Sequence, residues 1–387
     1  MNKVLSLLLA AGFIFGSYAT DARVVVMGRS DAFYRDEVSV FKNPADISLY
    51  PNLVYGSYGV YFPQPSQSED AMAALRRTNT DPKDPFFGAF VSHNLTQEEN
   101  GSKVSFGAVF NRRDPLLSLL QSKDTGLVEP VGKIDLVLGY DLGNGISLGL
   151  GGYGATQRVV DNDEVVDETS IYKATAGLNW DLGQGLDFEA SANAGKLRAK
   201  DSATVVSDGD YFFRGNLRFL SEVPSINGAF VPQASLQFVN IGEESIMDVA
   251  GGIGLNINID RGFFFTGLEG LYSQEDDTDA DESVQSIGTR VSFGIERNII
   301  WDWFLIRVGG QKEIRYQTDG PNSGMWVENV AADGSDGDLV GLGFGINIDN
   351  KFRADFVAAE DIAYTFTNLI SGPQHRLFSR VSATYNF

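Results

Sequence analysis

Hydrolytic chemistry on a protein surface needs a nucleophile and a base within hydrogen-bond reach. This chain of 387 residues has no cysteine and only two histidines, His93 and His375. The one Ser–His pairing to consider is Ser379 with His375. On a strand, four residues at ~3.3 Å each place them roughly 13 Å apart, too far for a direct hydrogen bond. No enzymatic activity is expected. Two isolated histidines and no thiol build no metal centre, so no metal and no cofactor are expected. Acidic runs at 161–168, 275–282 and 333–338 lack the Asp-x-Asp-x-Asp-Gly spacing of a calcium loop and read as solvated loops. A net charge of −21 excludes a nucleic-acid partner, which takes clustered Lys and Arg. One polar connection is different. Pro115-Leu116-Leu117-Ser118-Leu119-Leu120 is apolar, and an exposed patch of that kind wants a partner. Leu116, Leu117, Leu119 and Leu120 are therefore candidates for capturing a hydrophobic ligand; the other reading packs them on a rim or dips them into lipid.

The elements that must position these residues are strands. Val249, Ile253, Leu255, Ile257 and Ile259 alternate with small or polar residues, as do Tyr172, Ala174, Ala176, Leu178 and Trp180. Val340, Leu342, Phe344, Ile346 and Ile348 follow the same period of two. The glycines at 149–154 and 341–343 belong to such strands and open no helix, so they are not nucleotide loops. Runs of about 10–13 residues suit a tilted strand crossing a bilayer, whereas soluble strands average ~5–6. Short Asp/Asn/Gly turns at 141–145, 181–185, 258–262 and 348–351 alternate with long polar loops expected at 63–84, 112–130, 159–169, 198–209, 274–283 and 317–337. The result is an all-β, antiparallel transmembrane β-barrel of about 14 strands, within 14–16. Pro224 and Pro232 leave 211–240 the least certain stretch in that count. Alternation turns Arg290, Arg307, Arg353, Arg376 and Arg380 into the lumen with Asp135, Lys173, Glu189, Glu296 and Asp355. Mixed charges of this kind suit salt-bridged ladders; an anion pore through Arg376 and Arg380 is the alternative.

Both ends of the chain fit export to a Gram-negative outer membrane. Lys3, the apolar run 4–15 and Ser17-Tyr18-Ala19 form a signal peptide over 1–19, too short to span a membrane. The last strand, with Leu377, Val381, Ala383, Tyr385 and Phe387 on one face, resembles the C-terminal signal of outer-membrane barrels. The resemblance implies that Tyr385 and Phe387 are read by the barrel-insertion machinery, with lipid as the other partner.

Between these ends, Gly28, Asp31 and Ala32 precede Asn43-Pro44-Ala45, and the first strand follows from residue 52. This arrangement resembles the N-terminal region of the FadL-like superfamily. That superfamily includes porin-like transporters of hydrophobic compounds and the PorV/PorQ-type barrels of a protein-secretion system. It implies that 20–51 is a hatch folded into the lumen of a barrel formed by 52–387. It also implies passive transport of small hydrophobic molecules across the outer membrane. The alternative is a PorV-like component of protein secretion or surface attachment, with secretion-system proteins as partners.

Overall fold

The computed structural model describes residues 21–28, 32–59, 85–96, 101–123, 127–162, 164–201, 204–277, 282–299, 301–319, 324–328, 339–349, 351–358 and 378–387. The expected signal peptide, 1–19, lies outside the described residues. Strands dominate the remainder: β1 Leu53–Gly59, β2 Phe86–Asn94, β3 Lys103–Phe110, β4 Gly132–Asp141, β5 Ile146–Asp161 and β6 Glu164–Asp181. They continue as β7 Leu186–Asp201, β8 Thr204–Val223, β9 Gly228–Ile241, β10 Glu244–Ile259, β11 Gly262–Asp277 and β12 Glu282–Asn298. The last are β13 Phe304–Asp319, β14 Gly324–Glu328, β15 Leu339–Ile348, β16 Phe352–Ala358 and β17 Phe378–Asn386. Sequence neighbours pair antiparallel, and β17 pairs with both β16 and β1, so the sheet closes on itself. β13 pairs with β15 along its first half and with β14 along its second. Sixteen strands thus form the ring and β14 stands outside it, the upper end of the expected range. The stretch 211–240 resolves into β8 and β9. Pro224 opens the turn between them, and the β8–β9 ladder pauses between Arg218↔Gln233 and Ser221↔Phe230, beside Pro232, which has no N–H to give.

The ring is inside out relative to a soluble protein. On β4, Ile134, Leu136, Leu138 and Tyr140 are exposed, while Lys133 and Asp135 are buried. On β12, Ile287, Val291, Phe293 and Ile295 are exposed, while Ser292 and Glu296 are buried. Water would impose the opposite order; a lipid-facing belt around a polar lumen imposes this one. The 10 residues of β4 rise roughly 23 Å at a tilt of ~40°, close to the ~25 Å band of such barrels. No helix among the described residues is long and apolar enough to cross a membrane. The protein is a transmembrane β-barrel of the outer membrane.

Several expected loops are strands. β5 and β6 stay paired to Asp161↔Glu164, and β7 and β8 to Asp201↔Thr204, which absorbs 159–169 and 198–209. β11 and β12 stay paired to Asp277↔Glu282, and 317–337 begins with the end of β13 and contains β14. Beyond the bilayer both faces of a strand meet water, so apolar alternation fades while backbone pairing persists. One flank, β5 to β13, therefore stands 14 to 20 residues tall. The other flank has strands of 7 to 10 residues.

A ring of 16 strands is too wide for its own side chains to fill. Residues 21–28 and 32–51 lie inside it. Helix α1, Asp21–Val26, packs on β13 and β15–β17, and its Val25 and Val26 cluster with Val357. Phe33 and Tyr34 cluster with Ala229, Val231 and Phe265 on β9 and β11. Two 3-10 turns, Glu37–Phe41 and Pro44–Leu49, follow; the second packs on β3–β6.

Candidate functional site

The N-terminal segment is held by a short motif whose local geometry the sequence dictates. Asn43 is extended and caps the second 3-10 turn, its Oδ1 accepting from the Ala45 N–H at 3.2 Å, with Pro44 in the first turn where no N–H is needed. The same side chain donates through Nδ2 to Asn179 Oδ1 of β6 at 2.6 Å. Asn179 in turn donates to Asp46 Oδ1 at 2.8 Å, and the Ser39 hydroxyl donates to Asp46 Oδ2. The backbone can come this close because the wall below it is glycine. A Cβ on Gly149 would overlap the Pro44–Ala45 peptide, and one on Gly177 would overlap the Asn43 side chain. Burial, and then the nearby Glu189 charge, push the Asp46 carboxyl up to about 6.

Two charge clusters fasten the segment to the wall. Arg23 donates to Glu296 at 3.1 Å and lies 3.6 Å from Asp36. Glu296 also receives Arg307 at 2.5 Å and Arg353 at 3.0 Å, and both arginines reach Asp355, at 2.7 and 3.0 Å. Arg35 reaches Glu189 at 2.5 Å and Asp187 at 3.0 Å on β7, and Arg218 shares Glu189 while donating to the Tyr34 carbonyl at 3.0 Å. Glu37 is fully buried beside Asp36, and burial first, then that neighbour, hold its carboxyl well above the ordinary value.

The leucine-rich run forms helix α2, Pro115–Lys123. Asp114 caps it, Oδ1 accepting from the Leu116 N–H at 3.2 Å, while Lys173 and Arg112 bind the other oxygen. Burial works against the Asp114 charge, but those two cations hold its carboxyl below the usual range. Arg112 also pairs with Asp135 at 2.7 Å and lies 4.1 Å over the ring of Phe41 in the N-terminal segment. Leu116, Leu117, Leu119 and Leu120 are not an exposed patch. All four are buried, packed on Tyr153, Ile171, Leu197, Phe212, Val239 and Ile246. These wall residues alternate with exposed ones such as Tyr172, Tyr211 and Phe213, so they face the lumen. This inner apolar wall was not anticipated. Its signal lay in paired apolar residues, Ile171-Tyr172, Phe212-Phe213 and Phe238-Val239, which give a strand two apolar faces instead of one.

The other candidates fall as follows. Gly28, with φ +76°, lies against Gly310 of β13. Ala32 packs beside Phe33, and its carbonyl accepts from Arg218 at 3.4 Å; Asp31 lies outside the described residues. Arg290 pairs with Glu313 at 2.7 Å and approaches Glu269 at 3.7 Å. Arg380 is buried, opposite Gly59 and Val357 in register. Arg376 and His375 lie outside the described residues; His93 is exposed on β2. Tyr385 and Phe387 are exposed at the end of the closing strand, and the Phe387 N–H donates to the Asn52 carbonyl at 3.1 Å.

No family model and no curated protein matches this chain. Among solved structures it is similar to the toluene transporter TodX of Pseudomonas putida, at 11% identity over 96% of this chain and 98% of that one, with a TM-score of 0.42. It is also similar to a bacterial polysaccharide outer membrane secretin, at 10% identity over 87% and 97%, TM-score 0.40. A loop-deletion form of OmpT, an outer membrane protein of Vibrio cholerae, matches at 9% identity over 86% and 96%, TM-score 0.34. Likenesses this distant carry no argument here; the barrel rests on its own strand pairing and its inverted burial.

Proposed function

We propose that this barrel passes small hydrophobic molecules across the outer membrane without an energy source, with residues 20–51 as its hatch. The observation that carries the reading is the apolar inner wall of β5 to β10, filled by the leucines of α2. A water-filled pore has no use for lumen-facing Ile171, Leu197, Phe212 and Val239; a greasy solute does. Displacing α2 exposes that wall, and each leucine turned out of contact gives up roughly 1.5–3 kcal/mol of burial that an apolar ligand can replace. Arg112, salt-bridged beside α2 and stacked on Phe41, ties the helix to the hatch. The tall flank of β5 to β13 supports a second reading, a PorV-like docking wall for secreted or surface-attached proteins. In either reading lipid surrounds the belt, and β17 with Tyr385 and Phe387 is what the insertion machinery would read.

The test is uptake of a labelled alkylbenzene by cells or proteoliposomes carrying the barrel. Replacing Leu116, Leu117, Leu119 and Leu120 together with Ser should weaken binding of the hydrophobic probe at least tenfold, and deleting residues 43–45 should change its rate of entry. If both variants match the parent while export or surface attachment of other proteins fails, the secretion reading replaces this one.

A further inference from the structure

Beside the N-terminal segment, between it and the inner faces of β7 to β13, lies a cavity of about 330 Å³, at the small end of the ~300–1,000 Å³ typical of ligand sites. Its lining is polar. Lys42 and Asp46 face it from the segment; Arg214, Arg218, Arg290, Glu189 and Glu269 face it from the wall. All three carboxylates are spent. Asp46 accepts from Ser39 and Asn179, Glu189 from Arg35 and Arg218, and Glu269 from Gln233, with Arg290 3.7 Å away. Arg218 and Arg290 are occupied by those same carboxylates and by Glu313.

Arg214 is the exception. It is half-buried on β8, between Asn193 of β7 and Gln237 of β9 in register, and no carboxylate pairs with it among the described residues. Its guanidinium, with five N–H donors, lines the cavity. Hydroxyl donors of Ser191 and Ser235 and the amide of Asn216 line the same space. Of the three arginines that line the space, Arg214 is the one with no carboxylate beside it among the described residues.

We propose that this cavity is a binding site for a small oxyanion, a carboxylate or a phosphate, held by Arg214. A planar guanidinium with no carboxylate partner among the described residues matches two oxygens of such a group. The cavity meets α2 only at Pro115 and shares no residue with the apolar wall the leucines fill, so anion binding can be measured apart from hydrophobic transport.

The experiment is equilibrium binding of inorganic phosphate and of acetate to the purified, folded barrel in detergent at low salt. The folded state is scored by retention of the heat-sensitive electrophoretic form. Saturable binding at millimolar concentrations, weakened by added chloride, is expected. Arg214→Gln should weaken it at least tenfold, and Arg214→Lys should restore part of the loss. Lys42→Gln, a change on the segment and not in the wall, should weaken it severalfold and serves if Arg214→Gln does not fold. Absence of saturable binding of both anions to the parent overturns the proposal. So does an affinity unchanged in the folded Arg214→Gln or Lys42→Gln barrel.

Discussion

Asp46 shows how one buried side chain can set the grip of the N-terminal segment. Its ordinary value near 3.8 is pushed up to about 6 where the segment is docked, by burial first and by Glu189 second. A carboxyl whose docked value is raised favours docking while it is protonated. That contribution is complete below pH 3.8 and is lost as pH rises through 6. At ~1.4 kcal/mol per unit it amounts to about 3 kcal/mol. Glu37, raised in the same direction, adds to the trend. The segment should therefore resist protease better at pH 4 than at pH 7. In Asp46→Asn, which is neutral throughout, that difference should shrink to the part Glu37 supplies. An unchanged difference would remove Asp46 from the account. None of this was legible in the sequence, which holds 51 acidic residues and gives no sign of which one is desolvated.

The glycines of β5 and β6 carry a requirement at the scale of the element. In the sequence Gly149 and Gly177 are small residues on the polar face of an alternating strand. In the barrel each is the floor on which the Asn43-Pro44-Ala45 turn rests. Gly177→Val should expose the segment to protease by more than tenfold while leaving the barrel's heat-sensitive electrophoretic form intact, because strand pairing is untouched and valine suits a strand. If protease sensitivity stays parental, the turn is not seated there. Strand existence, period and facing were legible because each follows from neighbours two residues away. The seat was not, because its partner lies over 100 positions distant. The protruding hairpins at 159–169 and 198–209 escaped for another reason: outside the bilayer, polarity no longer separates strand from loop. Helix α2 was visible as an apolar run, but its burial depended on an inner wall assembled from six strands.

At the scale of the molecule, the closed ring and its inverted burial follow from composition and period together. A chain with 43% hydrophobic residues and a mean hydropathy of −0.10 divides its apolar and polar halves between two faces. The lumen this leaves is filled by the chain's own first segment and by α2. On this account a hydrophobic solute crosses only when residues 20–51 move. The absence of cysteine makes a clean test available. The hydroxyls of Ser48, on the segment, and Ser147, on β5, lie 3.3 Å apart. That separation brings paired cysteines within reach of a disulfide. The Ser48→Cys, Ser147→Cys barrel should cross-link on oxidation, seen as a mobility change that reductant reverses. Uptake of a labelled alkylbenzene should fall at least tenfold in the oxidised form and return to the parental rate on reduction. Uptake that proceeds equally in the fully cross-linked and reduced forms would contradict the account.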